Sequence, residues 1–112
     1  MSYTKLKGVI MRIIKAGHLY ELQPFEAGSP QLLQFIEKVP ESEGSTNLVT
    51  VNNGTTNEEV LAVLIDRLNY LNSKVPSREN SLAITKCQEA LMWLNLRTAG
   101  RKARAVEGTR LP

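Results

Sequence analysis

The spacing of apolar residues changes near residue 54. Upstream they come in short runs, GVIMRIIK (8–15), HLYEL (18–22), LLQFIEKV (32–39) and NLVTV (47–51), each closed by glycine, proline or asparagine. Runs of that length, rich in β-branched and large apolar side chains and bounded by turn residues, predict strands. The third run also satisfies helical spacing through Leu32, Leu33 and Ile36 after Pro30, so a short helix competes with a strand there, and the strand is the expectation. Three or four short antiparallel strands are therefore expected.

Downstream of Gly54 the period becomes helical. In GTTNEEV, Thr55 stands three residues before Glu58 and Thr56 three before Glu59, and either pair makes a capping box. Leu61, Leu64, Leu68, Leu71 and Val75 then alternate spacings of three and four, which predicts one apolar stripe on a helix. Pro76 breaks the chain and Ser77 can cap again. Ile84, Cys87, Leu91 and Leu94 repeat the spacing in a second helix. Two helices joined by about four residues form an antiparallel hairpin. The expected fold class is α+β: a small N-terminal antiparallel sheet in residues 1–53, then a helical hairpin in residues 54–112. At 112 residues the two halves are expected to make a single domain, completed by copies of itself.

Charge alters this picture at one place. The net charge is +3 and the pI about 9.2, and Arg97, Arg101, Lys102 and Arg104 fall within eight positions. Without residues 97–104 the chain is close to neutral. On a helix, Arg97, Arg101 and Arg104 follow at i, i+4 and i+7 and share one side. Basic residues at a helix C-terminus complement the macrodipole, and one or two arginines meet that need. Three on one face repel one another, and the planar fork of arginine suits phosphate, so an anion site is the alternative reading. Trp93, one turn earlier, can pack on a neighbouring helix or subunit or stack on a base. Tyr70 falls beside the first stripe and can stack or pack. Asn80, in the first turn of the second helix, can read a base edge or help close the helix start.

Catalysis finds little support. His18, the sole histidine, follows Gly17 at a strand start and reads as a surface residue. Cys87 lies on an apolar seam, where an inert thiol is the default, and a single cysteine suits a reducing cytosol. No cluster has metal-ligand spacing and no glycine-rich phosphate loop is present, so no cofactor is expected. No run approaches the roughly 20 apolar residues of a membrane span. Binding without chemistry, in a soluble intracellular protein, is the expectation. A small basic nucleic-acid-binding regulator is the rival, weakened by the modest overall charge.

The stretch GTTNEEVLAVLIDRLNYLNSKVPSRENSLAITKCQEALMWLNLRTAGRKARAVEGT (54–109) resembles the hairpin domain shared by Thoeris anti-defence sponges and anti-CBASS sponges of phages. The likeness is most specific in RENSLAITKCQEALMWLNLRT and in R-x-A-x-x-VEGT, and the strands in front look like the first Thoeris anti-defence family. The resemblance implies a protein of the infected host's cytoplasm. It would sequester a cyclised ADP-ribose isomer, a cyclic di- or trinucleotide, or both, without degrading them. It implies a homodimer or a hexamer built from dimers. In that family an aromatic residue and an asparagine hold the bases, while paired arginines one turn apart hold phosphate. By position these are similar to Tyr70, Asn80, Arg97 and Arg101, with Arg104 on the same face. Asn80 and Arg97 are 17 residues apart on one helix, about 25 Å at 1.5 Å per residue. A pocket using both must therefore join the turn end of one protomer to the open end of another.

Overall fold

The computed structural model of the chain describes residues 2–6, 9–104, 109 and 111. It is α+β. Six strands, β1 (Ser2–Leu6), β2 (Val9–Lys15), β3 (Leu19–Leu22), β4 (Gln31–Gln34), β5 (Glu37–Pro40) and β6 (Leu48–Asn52), precede two helices, α1 (Asn57–Lys74) and α2 (Arg78–Ala103). The chain falls into two compact units, one made of Met1–Val39 and Val49–Thr55, the other of Pro40–Leu48 and Thr56–Pro112.

In the first unit β1 to β4 form an antiparallel sheet in sequence order, with Thr4 opposite Met11, Met11 opposite Leu22 and Tyr20 opposite Leu33. The β2–β3 turn is closed by the His18 N–H donating to the Lys15 carbonyl, with Gly17 at a positive φ of 76° that other residues adopt at a cost. β1 lies outside the expected runs. SYTKL has no apolar run to announce it, and as an edge strand it needs a partner on one side only.

The third expected run is extended, as anticipated, but it splits into two strands that belong to different sheets. The break at Phe35 and Ile36 has a physical cause downstream. Thr55 forms a parallel bridge with Phe35, its N–H donating to the Gln34 carbonyl and its carbonyl accepting from the Ile36 N–H, both at 2.9 Å. Gly54 permits that approach: a Cβ there would stand 2.4 Å from the Gln34 carbonyl oxygen. The chain thus leaves the first sheet, and β5 pairs with β6 in a second, two-stranded sheet. Within the same unit Tyr20 and Phe35 meet edge to face at 5.9 Å. Glu37, only 5% exposed, accepts from Lys15 Nζ at 2.5 Å and from Asn52 Nδ2 at 3.0 Å. Those two donors hold its carboxyl below the ordinary glutamate range, Lys15 more than Asn52.

In the second unit α1 starts at Thr56, whose hydroxyl accepts from the Glu59 N–H, so the second of the two possible capping boxes supplies the cap. It ends at Val75, whose N–H still donates to the Leu71 carbonyl while the following proline keeps its backbone out of the helical region. Ser77 caps α2 by accepting from the Asn80 N–H at 3.0 Å. The inward seam of α2, half-buried except at Ile84 and Arg101, which are buried, runs through Asn80, Ile84, Cys87, Leu91, Leu94, Thr98 and Arg101, the expected four apolar positions extended by one turn at the start and two at the end. On α1 the seam is Leu61, Ile65, Leu68 and Asn72, whereas Leu64, Leu71 and Val75 of the expected stripe are exposed. The helix is apolar over a wider arc than one neighbour covers, and Asn72 takes a seam position because the turn needs its amide. Among the described residues Ile84 is the only apolar side chain that is buried, at 7% exposure.

Candidate functional site

All five candidate residues lie in the second unit, on the hairpin. Tyr70 and Asn80 flank the α1–α2 connection. Tyr70, one turn from the end of α1, is 59% exposed, and the ammonium of Lys74 stands over its ring at 5.3 Å from the centroid. One face of the ring is thus already engaged by a cation–π contact. Asn80 is half-buried in the first turn of α2, and the backbone cap there belongs to Ser77. The Asn80 amide is therefore not the capping group.

The turn itself is tied by a residue that the apolar pattern does not reveal. Asn72 accepts from the Ser77 N–H at 2.9 Å through Oδ1 and donates to Ser81 Oγ at 3.3 Å through Nδ2. Ser73 Oγ donates to the Tyr70 carbonyl at 2.6 Å. Tyr70 and Asn80 are in this way set at the ends of a pinned three-residue connection. The seam spacing of Asn72 after Leu61 and Leu68, and the i, i+4 spacing of Lys74 after Tyr70, are the sequence signals for these two supporting residues.

At the other end of α2 the arginines differ from one another. Arg97 is exposed, Arg101 is 8% exposed, and Arg104 is the exposed C-cap, its N–H donating to the Gly100 carbonyl at 3.1 Å. Arg101 donates from Nη2 to the Thr109 carbonyl at 2.7 Å and from Nη1 to the Leu111 carbonyl. Arg97 and Arg101 are four residues apart on a continuous helix, so their side chains leave neighbouring points of its surface. Residues 80 and 97 stand at opposite ends of the hairpin, separated by about 25 Å of helix.

Between these ends α2 carries an open apolar groove lined by Leu91, Met92, Leu96 and Ala99 with Gln88 and Asn95. Trp93 is 61% exposed, so most of its ring surface is uncovered. Cys87 is a half-buried free thiol on the seam, and His18 is half-buried in the first unit, where a surface residue was expected. Among the described residues no three His, Cys, Asp or Glu side chains are placed to hold a metal ion. Among the described residues no helix is long and apolar enough to cross a membrane.

A pinned helical hairpin with a basic open end and an uncovered apolar face defines the class: a small hairpin-domain protein. The family model for the Acb2/Tad1 hairpin domain matches residues 37–99, more than half of the chain. The chain is also similar to the protein "Thoeris anti-defense 1" of Bacillus phage SBSphiJ7, with 43% identity over 114 aligned positions, covering 84% of this chain and 79% of that protein. The chain belongs to the Acb2/Tad1 hairpin-domain family, and by that membership it is an anti-defence protein.

Proposed function

We propose that the protein binds a cyclic nucleotide messenger of bacterial immunity, of the cyclic ADP-ribose type, and withholds it intact from the host effector. The observation that supports this most is the pairing of two arginines one turn apart, Arg97 and Arg101, at the open end of a family-defining hairpin whose turn end presents Tyr70 and Asn80. A messenger with two or more phosphates and one or two bases needs forked cationic donors at one place, and a ring face with an amide at another.

The length of α2 separates those two places, so the pocket is composite. Tyr70 and Asn80 come from one protomer, Arg97 and Arg101 from a second whose hairpin lies antiparallel beside the first, and twofold symmetry makes two equal pockets. The exposed Met92, Trp93 and Leu96 offer the apolar surface on which such a pairing would close. A homodimer, or a hexamer of three such dimers, is the assembly that this requires. The host cytoplasm is where the messenger is made and where the protein would act. Cyclic di- and trinucleotides present the same phosphates and are candidate ligands too.

Sequestration needs no bond to break. A protein that binds tightly and releases slowly lowers the free messenger by mass action alone, so no general base or nucleophile is required. Isothermal titration calorimetry with cyclic ADP-ribose isomers, cyclic dinucleotides and cyclic trinucleotides tests the reading. Tight saturable binding of at least one, lost in Arg97→Ala, is the expected result. Binding of duplex or single-stranded nucleic acid instead, steeply weakened by salt, would identify a nucleic-acid regulator.

A further inference from the structure

The fork of Arg101 is already filled from within the chain. Nη2 donates to the Thr109 carbonyl at 2.7 Å and Nη1 to the Leu111 carbonyl. Thr109 and Leu111, whose carbonyls meet at the fork, are also joined to each other, the Thr109 hydroxyl accepting from the Leu111 N–H at 3.2 Å. Thr109 is also held from its other side by an antiparallel bridge to Asn47. All four residues belong to the second unit. The guanidinium that closes the α2 seam is thereby turned to the C-terminal segment and is 8% exposed.

We propose that the Thr109 and Leu111 carbonyls are an internal stand-in for phosphate, a latch that keeps Arg101 engaged until an ionised ligand displaces it. The inference rests on the reading of Arg101 as a phosphate-holding residue. A guanidinium edge presents two N–H groups at the spacing of two oxygens, and a pair of carbonyls or a phosphate fits it equally in shape. The two cannot share it, because the incoming oxygens would meet the carbonyl oxygens at contact distance with like partial charge. They differ in charge. A carbonyl is a dipole, whereas an ionised phosphate adds an opposite charge to a bond that the guanidinium alone already makes charge-assisted. The exchange therefore runs toward ligand only when the ligand carries an ionised phosphate.

Two consequences separate this device from a plain binding residue. Arg97, exposed, makes the first contact with any anion, and Arg101 is recruited second with release of Thr109 and Leu111. A neutral nucleoside offers Arg101 nothing that it does not already have and leaves the latch closed. The latch makes the site discriminate by charge beyond what two open arginines would achieve.

The test uses the full chain labelled with nitrogen-15, and reads the order of the Leu111 amide by its heteronuclear NOE. The probes are a cyclic ADP-ribose isomer, inorganic pyrophosphate and adenosine. The cyclic isomer and pyrophosphate should each lower the Leu111 NOE toward that of a free chain end, and adenosine should leave it unchanged. Thr109→Val, which keeps the shape and removes the hydroxyl, should lower the NOE with no ligand present. It should also tighten binding of the cyclic isomer about 2- to 10-fold, the range of one net hydrogen bond, while Thr109→Ser should match wild type. A Leu111 amide that becomes more ordered on binding, or Thr109→Val binding more weakly than wild type, overturns the latch, because the segment then supports the pocket. Binding that leaves Leu111 unmoved overturns the latch alone. Failure of every cyclic nucleotide to bind overturns the sponge reading and the latch with it.

Discussion

Arg97 and Arg101 stand one turn apart on α2, yet the first is exposed and the second is buried against two backbone carbonyls of the C-terminal segment. The same residue type at the same helical spacing thus has two environments, and substitutions at the two positions should report different things. Arg97 is exposed, so Arg97→Ala should take away the charge-assisted contact proposed for it and nothing structural. It should weaken binding of a cyclic ADP-ribose isomer by about 2 to 4 kcal/mol with an unchanged melting temperature. Arg97→Lys should lose a good part of the affinity, because an ammonium cannot make the forked contact. Arg104→Ala should cost much less. Titration calorimetry paired with thermal unfolding checks all three, and wild-type affinity in Arg97→Ala would remove the arginine from the site.

The composite pocket can be tested by mixing. Sedimentation at micromolar concentration should show a dimer or a multiple of one. Neither Asn80→Ala nor Arg97→Ala homodimers should bind well. Co-expressed, tag-selected heterodimers should recover one tight pocket of the two, because one interface then takes its asparagine and its arginine from unmutated positions on different chains. A 12.5 kDa monomer that binds at full strength, or heterodimers without any tight site, would mean that the pocket is not shared between subunits in this way.

Glu37 predicts a pH signature in the first unit. Its folded-state pKa lies below the ordinary glutamate value because Lys15 and then Asn52 donate to the carboxylate. A depressed carboxylate pKa adds stability that is present above the ordinary glutamate range and is lost as pH falls through the folded value. The stability difference between wild type and Glu37→Gln should therefore be largest near neutrality and shrink on acidification below about pH 4.3. Denaturant midpoints measured from pH 7 to pH 3 check the sign. A gap that widens in acid would contradict the assignment.

Gly54 should not tolerate a side chain. The smallest one would set a carbon 2.4 Å from the Gln34 carbonyl oxygen and 2.6 Å from the Phe35 carbonyl carbon, both backbone atoms that cannot rotate away. Gly54→Ala should destabilise the protein by about 1 to 3 kcal/mol, read as a lowered denaturant midpoint. An unchanged midpoint would mean that the Phe35–Thr55 bridge is dispensable.

Much of this was legible in the residues, and the exceptions share a cause. The cap at Ser77 and the seam from Ile84 to Leu94 follow local rules, capping chemistry and a 3.6-residue period, and the structure takes Thr56 from the two caps that the sequence offers for the first helix. The split of the run 32–39 does not, because it is imposed by a residue pair about twenty positions apart, Phe35 and Thr55, that no window includes. The seam of α1 was read through Leu64 and Leu71, where the structure uses Ile65 and Asn72. On a helix apolar over a wide arc, a polar anchor decides which line of residues turns inward. Spacing and charge single out the arginines as candidates, but spacing carries no information about acceptors. That Arg101 is engaged while Arg97 is exposed depends on the carbonyls of residues 109 and 111, which any sequence there would possess.

Sequestration requires that a messenger be held and returned unaltered. The most direct measurement incubates the protein with a cyclic ADP-ribose isomer, removes unbound ligand by gel filtration, denatures the complex by heat and identifies the released compound by chromatography and mass spectrometry. Release of the intact cyclic isomer, in proportion to the pockets present, is the result that sequestration predicts. Recovery of a linear or hydrolysed product, or of no nucleotide at all, would contradict it.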